Sequence, residues 1–181
     1  MMQVVKIETP LDAAVVRSLR AGMEVEISGV VYSARDMAHK RLCELIEAGR
    51  PLPFELAGQV IYFVGPTPAR PGRVIGAAGP TTAARMDAFS PILMRAGVRG
   101  TIGKGYRDTA VRRALKEFGA VHFSAAGGAG AMLSRHITAA EVVAYEDLGA
   151  EAIRRLTLRD FPAIVAYDAY GASVYAGEPA A

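Results

Sequence analysis

The residues best suited to chemistry lie in three short loops, each with a cation among small neighbours. They are Ser33-Ala34-Arg35-Asp36-Met37-Ala38-His39, Gly79-Pro80-Thr81-Thr82-Ala83-Ala84-Arg85-Met86-Asp87, and Ile102-Gly103-Lys104-Gly105. Two guanidiniums and an ammonium suit a small dianion, because arginine grips a carboxylate with two parallel donors. The middle loop adds two hydroxyls. Thr81 and Arg85 are four apart, so they share a face if a helix begins near Thr81. Such a helix start would also offer free N–H groups to an anion. The same spacing fits a purely structural role, with Arg35 paired to Asp36 or another acid, Arg85 to Asp87, and Thr81 as a helix cap. Spacing alone leaves both open.

Other chemistries are excluded by the residues present. Gly103-Lys104 has Val98 where a phosphate loop needs its first glycine, and Gly105 where it needs Ser or Thr. Gly128-Ala129-Gly130 has Leu133 in place of the third glycine of a dinucleotide fingerprint. His39, His122 and His136 are far apart, with no metal-ligand spacing, and Gly-x-Ser-x-Gly does not occur. The single cysteine, Cys43, rules out an intramolecular disulfide, and one thiolate cannot hold an iron–sulfur cluster. One thiol without a disulfide framework fits a reducing compartment.

Each candidate loop sits at an expected strand-to-helix junction, where α/β folds place ligands. The pattern predicts strands at Val4–Ile7, Met23–Tyr32 (bent at Gly29), Val60–Val64, Gly100–Gly103, Val121–Phe123 and Ile137–Tyr145. It predicts helices at Leu11–Leu19, from Ser33 or Asp36 to Ala48, Arg85–Ala96, Asp108–Phe118 capped by Asp108, Gly128–Leu133, and Gly149–Leu156. Ala163–Tyr167 and Ala172–Tyr175 read as a closing hairpin. Gly65 to Pro80 is an irregular Gly/Pro-rich loop. The whole reads as one α/β domain.

Composition agrees. The chain has 181 residues, 51% hydrophobic and 22% charged, enough for one domain with a real core. The start lacks a secretory signal and no apolar run reaches membrane-span length, so a cytoplasmic protein is expected. Net charge is +3, the basic residues are dispersed, and tryptophan is absent. A nucleic-acid binder would cluster its charge and interleave aromatics. None is expected here.

The runs GPTTAARMD, IGKG, AAGGAGAM and AYEDLG, in that order, resemble the β subunit of class I fumarases and L(+)-tartrate dehydratases. In single-chain class I fumarases the equivalent is the C-terminal domain. VVYSARDMAHKRL and IYFVGPTPA resemble earlier motifs of the same family, and the likeness runs from Ile7 to Tyr175. The resemblance implies a three-layer swivelling β/β/α domain with a mostly parallel sheet, over residues 1–176, with a tail at 177–181. It implies a hydro-lyase acting on a four-carbon dicarboxylate, fumarate to (S)-malate first, tartrate as the alternative. The family's [4Fe-4S] cluster would be held by a partner α subunit in an α2β2 assembly, and no metal by this chain. By the same resemblance Thr81 matches the proton-abstracting threonine. Arg35, Arg85 and Lys104 match the cations that bind substrate. Asp36, His39 and Asp87 lie inside the matching motifs and are expected to orient Arg35 and Arg85. A non-catalytic anion-binding module with this fold would be free to lose Thr81 or Lys104; both are present.

Overall fold

The computed structural model describes residues 4–175. The expected domain boundary at 176 and the tail at 177–181 therefore lie outside the described residues. The elements in chain order are β1 (Val5–Thr9), α1 (Ala13–Ser18), β2 (Glu24–Ser33), α2 (Asp36–Glu47), β3 (Val60–Tyr62), α3 (Ser90–Arg95), β4 (Gly100–Gly103), α4 (Thr109–Phe118), β5 (Val121–Ser124), α5 (Gly130–Leu133), β6 (Ile137–Ala144) and β7 (Ile153–Tyr167). Short 3-10 turns occupy Ala83–Met86, Ser134–His136 and Glu146–Glu151.

The strands form one mixed sheet in the order β1-β2-β3-β4-β5-β7-β6, and β2 also pairs with β7. That extra pairing closes β2, β3, β4, β5 and β7 into a five-stranded barrel. Neighbours from β1 to β5 are parallel. β7 runs antiparallel to β2, β5 and β6. The fold is thus α/β as expected, with parallel pairing from β1 to β5, and the mixed sheet closes on itself into a barrel. The long antiparallel β7 bridges the outer flanks of β2 and β5, while β1 and β6 remain as edge strands. Gly29, at φ +104°, lies where the β2–β7 register shifts. A side chain there would also meet the Thr9 carbonyl at 2.6 Å, so the bend in β2 requires glycine.

Alternate residues from β3 into Phe63 just after it point to two cores. Val60 and Tyr62 join Ile27, Ile102, Phe123 and Leu156 inside the barrel. Ile61 and Phe63 face out against Leu42 of α2 and Leu93 of α3. A third cluster packs Val111 and Leu115 of α4 on Tyr167. Among the described residues no helix is long and apolar enough to cross a membrane.

Three local expectations are corrected, and the closing hairpin is met. The predicted helix over Gly149–Leu156 is a 3-10 turn followed by the fifteen-residue β7, whose backbone is claimed by β2 and β6. The expected hairpin is present in short form, the end of β7 pairing antiparallel with the returning chain through the Tyr167–Ser173 bridge and the Asp168–Ala172 and Val174–Ala166 backbone bonds, its turn closed by Asp168 Oδ1 on the Tyr170 and Ala172 N–H groups. The predicted Arg85–Ala96 helix breaks into a 3-10 turn and α3, which starts afresh with proline in its first turn. Neither Ser33 nor Asp36 caps α2. Ser33 ends β2, Asp36 is the first helical residue, and the cap position falls to Arg35.

Candidate active site

All three loops lie at one end of the barrel, because β2, β3, β4 and β5 are parallel and each loop follows a strand's carboxyl end. Arg35 follows β2, and Lys104 follows β4 directly. Thr81 arrives differently. The irregular loop after β3 is tied down by Tyr62, whose hydroxyl donates to the Ala78 carbonyl at 2.5 Å, and by the Ala78 N–H bonded to the Gly130 carbonyl at 3.0 Å. It returns the chain so that the Thr81 N–H donates to the Phe63 carbonyl at 2.7 Å. The Lys104 N–H then donates to the Thr81 carbonyl at 3.2 Å, and the Ala83 N–H to the Lys104 carbonyl at 2.8 Å. Thr81-Thr82 is therefore sewn as an extended strip between the ends of β3 and β4, with a parallel bridge from Thr82 to Lys104.

This arrangement overturns the helix-start picture. Thr81 is not a cap. The 3-10 turn begins at Ala83, its cap position is Thr82, and no side chain caps it. Thr81 and Arg85 share no helical face, and a four-residue turn has no helix start to offer an anion. Among the described residues the Thr81 hydroxyl has no hydrogen-bond partner, and Lys104 has no acid within ion-pair distance. The Lys104 side chain passes over Gly127, 3.3 Å from where a β-carbon would sit.

Arg35, Asp36 and Arg85 form one group. Asp36 Oδ1 accepts from Arg85 Nε at 3.0 Å, and Asp36 Oδ2 lies 3.7 Å from Arg35 Nε. Arg85 therefore pairs with Asp36, not Asp87. Its side chain is 50% exposed, leaving the outer guanidinium nitrogens open to solvent. Arg35 also meets Glu151, with Nη2 3.4 Å from Oε1. Its guanidinium fills the space a side chain at Gly65 would need: a β-carbon there would stand 2.9 Å from Arg35 Nη1.

His39 and Asp87 stand apart from this group. His39 is buried beneath it, its Nδ1 2.9 Å from the Arg35 carbonyl. A carbonyl only accepts, so Nδ1 carries the proton. Burial lowers the imidazole to about 4, with the Arg107 charge adding to the effect, so His39 is neutral near pH 7. It touches the backbone of Arg35, not its charge. Asp87 turns away from Arg85 and accepts from Arg107 Nε at 2.6 Å and from the Asp108 N–H at 2.8 Å.

Sequence reasoning missed Arg107, Glu151 and Gly65. Arg107 is buried and also donates to Ser90 Oγ at 2.6 Å and Thr101 Oγ1 at 3.2 Å. His122 belongs to the same cluster, and burial with the Arg107 charge holds it well below its ordinary range. Arg107 lies three residues beyond Lys104 and Glu151 two beyond the AYEDLG run. Only their nearness to those motifs could have drawn attention to them.

Among the described residues no group of three or more His, Cys, Asp or Glu side chains could hold a metal ion. Cys43 is buried, and burial beside Glu47 and Glu44 pushes its thiol up to about 11, far from a thiolate ligand. These residues do not fit an iron–sulfur cluster.

Comparison with known proteins gives the family. The chain is 37% identical over 149 residues to the class I anaerobic fumarate hydratase of Escherichia coli (strain K12), covering 81% of this chain and 27% of that one. It is 35% identical over 149 residues to mitochondrial fumarate hydratase 1 of Leishmania major, again covering 81% of this chain and 27% of the relative. A Methanocaldococcus jannaschii protein named "Putative L(+)-tartrate dehydratase subunit beta" is 32% identical over 166 residues, covering 88% of this chain and 85% of its own length. The chain thus spans about a quarter of the fumarate hydratases but most of the separate subunit. The family model described as Fumarase C-terminus matches residues 1–178, and the chain belongs to that family.

Proposed function

We propose that this chain is the β module of a two-chain iron–sulfur hydro-lyase that interconverts fumarate and (S)-malate, with the cluster on a separate α subunit. In this reading the domain is of the three-layer swivelling β/β/α type, its barrel end turned to the partner. What supports it most is one arrangement: Thr81, whose hydroxyl has no partner among the described residues, is sewn directly to Lys104 at the barrel end that also carries the Arg35–Asp36–Arg85 group.

The roles follow from the chemistry. Dehydration removes a proton from the carbon beside one carboxylate and hydroxide from the neighbouring carbon. Thr81 Oγ1 takes the proton as its alkoxide, the hydroxyl's own proton having first passed to solvent at the open end of the barrel. A threonine hydroxyl is a very poor base in water, so alkoxide character needs adjacent cations, which Lys104 and Arg85 supply. As the proton leaves, negative charge builds on the adjoining carboxylate. Donors fixed there in advance lower the barrier by several kcal/mol, on the order of an oxyanion hole. Arg35, Arg85 and Lys104 are those donors, and Asp36 keeps the two guanidiniums in register. The cluster fits no residues of this chain, so the departure of hydroxide is assigned to the partner. Arg85, half exposed, also indicates an open site that a second surface must cover to exclude water.

Tartrate dehydration is the second reading, favoured by the separate β subunit whose length this chain nearly matches. One experiment tests both. The chain is co-expressed with its α partner without oxygen, and hydration of fumarate is measured beside dehydration of (S)-malate and L(+)-tartrate. Turnover of fumarate and malate supports the first reading; turnover of tartrate alone replaces it with the second. No turnover of any dicarboxylate by an intact, cluster-loaded complex overturns both.

A further inference from the structure

The AYEDLG run lies outside the three loops, yet the segment it begins is bound at one end to the first of them and at the other to the helix that continues it. After β6 the chain makes the 3-10 stretch Glu146–Glu151, which leaves helical geometry at Gly149 (φ 59°, ψ −114°). Near its start, Asp147 takes both outer nitrogens of Arg41 on α2, at 2.9 and 2.6 Å. At its end, Glu151 divides one carboxylate between two donors. Oε2 accepts from the Met37 N–H at 3.1 Å, and Oε1 lies 3.4 Å from Arg35 Nη2.

The first contact is a helix cap supplied from a distance. The residue at the cap position of α2 is Arg35, which has no side-chain oxygen, so the carboxylate comes from Glu151, 114 residues beyond Met37. A negative charge there also suits the positive end of α2. The second contact confines Arg35. Its guanidinium is bounded by Glu151, by Asp36, and by the backbone at Gly65, where a β-carbon would also meet the Ala150 carbonyl at 3.4 Å. A free arginine loses many rotamers when it grips a carboxylate, and that loss weakens binding. An arginine already held avoids it.

We propose that Glu151 is a positioning residue of the substrate site, capping α2 and holding the Arg35 guanidinium over Gly65 so that its remaining donors meet a substrate carboxylate. The proposal rests on the reading of Arg35 as a substrate ligand. Glu151 itself does not touch substrate; its effect on binding passes through Arg35.

A double-mutant cycle on the reconstituted, cluster-loaded complex tests this, with KM and kcat measured for the dicarboxylate turned over. Glu151→Ala should raise KM roughly 10-fold, with a smaller fall in kcat because Arg35 also meets the charge that builds on the carboxylate. Arg35→Ala should raise KM further, and adding Glu151→Ala to it should change KM by less than about 2-fold, because coupled partners are not additive. Glu151→Gln keeps an acceptor for Met37 and for Arg35, so it should recover most of the wild-type KM. If Glu151→Ala does not fold, Glu151→Gln carries the cycle, with a KM rise of roughly 3-fold that vanishes in the Arg35→Ala background. Full additivity of the two positions overturns the proposal, as does wild-type KM in both Glu151 variants. A wild-type KM in Arg35→Ala instead locates the failure in the reading of Arg35 as a ligand.

Discussion

Thr81 separates catalysis from structure at the scale of one side chain. Its backbone is bonded on both sides, while its hydroxyl has no partner among the described residues. Thr81→Ala should therefore cut kcat roughly 10²–10⁴-fold, as loss of a general base does, with KM and melting temperature nearly unchanged. Thr82→Ala is the control. Thr82 sits at a cap position without a side-chain cap bond, so even the usual cost of about 1 kcal/mol for a lost cap should not appear. Steady-state kinetics beside thermal melts of both variants decide the matter, and full activity in Thr81→Ala would remove it from the reaction. His39 gives a second result at this scale. Its pKa is about 4 folded, against an ordinary 6.5, because burial disfavours the charged ring. As pH falls from 6.5 the unfolded chain takes up a proton that the folded chain refuses until about 4. Stability is thus full above 6.5 and lost across that interval, by up to about 1.4 kcal/mol per pH unit for each such histidine. His122 acts in the same direction. Urea unfolding at pH 7, 6 and 5 should show the decline, and His39→Leu should make it shallower.

Between elements, the decisive link is the buried pair of Asp87 and Arg107. Asp87 follows Arg85 by two residues and Arg107 follows Lys104 by three, so the pair ties together the far ends of two site-bearing segments. The near ends are already joined by the Thr81–Lys104 backbone bonds. Each side-chain nitrogen of Arg107 has a partner, in Asp87, Thr101 and Ser90, and its backbone N–H donates to the Tyr167 hydroxyl. Arg107→Met should cost about 3–5 kcal/mol, because it leaves Asp87 buried without a counter-charge. Asp87→Leu combined with Arg107→Met should recover much of that loss, since apolar replacement of a whole buried pair is often neutral. Chemical denaturation of the two variants measures the difference; equal losses in both would mean that the charge pairing is not what stabilises this layer.

At the scale of the whole molecule, one end of a closed barrel gathers cations and a threonine but no metal-binding group among the described residues. Purified without a partner, the chain should be colourless and without hydratase activity, since one buried thiol cannot hold a cluster. Absorption spectra and a fumarate assay of the isolated chain check this, and a brown, cluster-loaded preparation would overturn the division between two subunits.

What the sequence by itself determined is whatever depends on near neighbours. Asp108 accepts from Val111, three residues on, and so its cap was legible; so was the bend at Gly29 and the inward face of α4. The chemistry-bearing loops were legible too, as residue types beside strand ends. Contacts between distant segments were not. Ile153 to Leu158 carries good helix formers, yet it is strand because β2 and β6 both bond to it, and those bonds outweigh a propensity of a few tenths of a kcal/mol per residue. Asp87 has Arg85 two residues away and chooses Arg107, while Arg85 reaches Asp36, 49 residues off. Thr81 is extended because the ends of β3 and β4 take its backbone groups. Only tertiary structure decided these, because a charge or an N–H pairs with whatever closure of the barrel brings within about 3 Å, irrespective of distance along the chain.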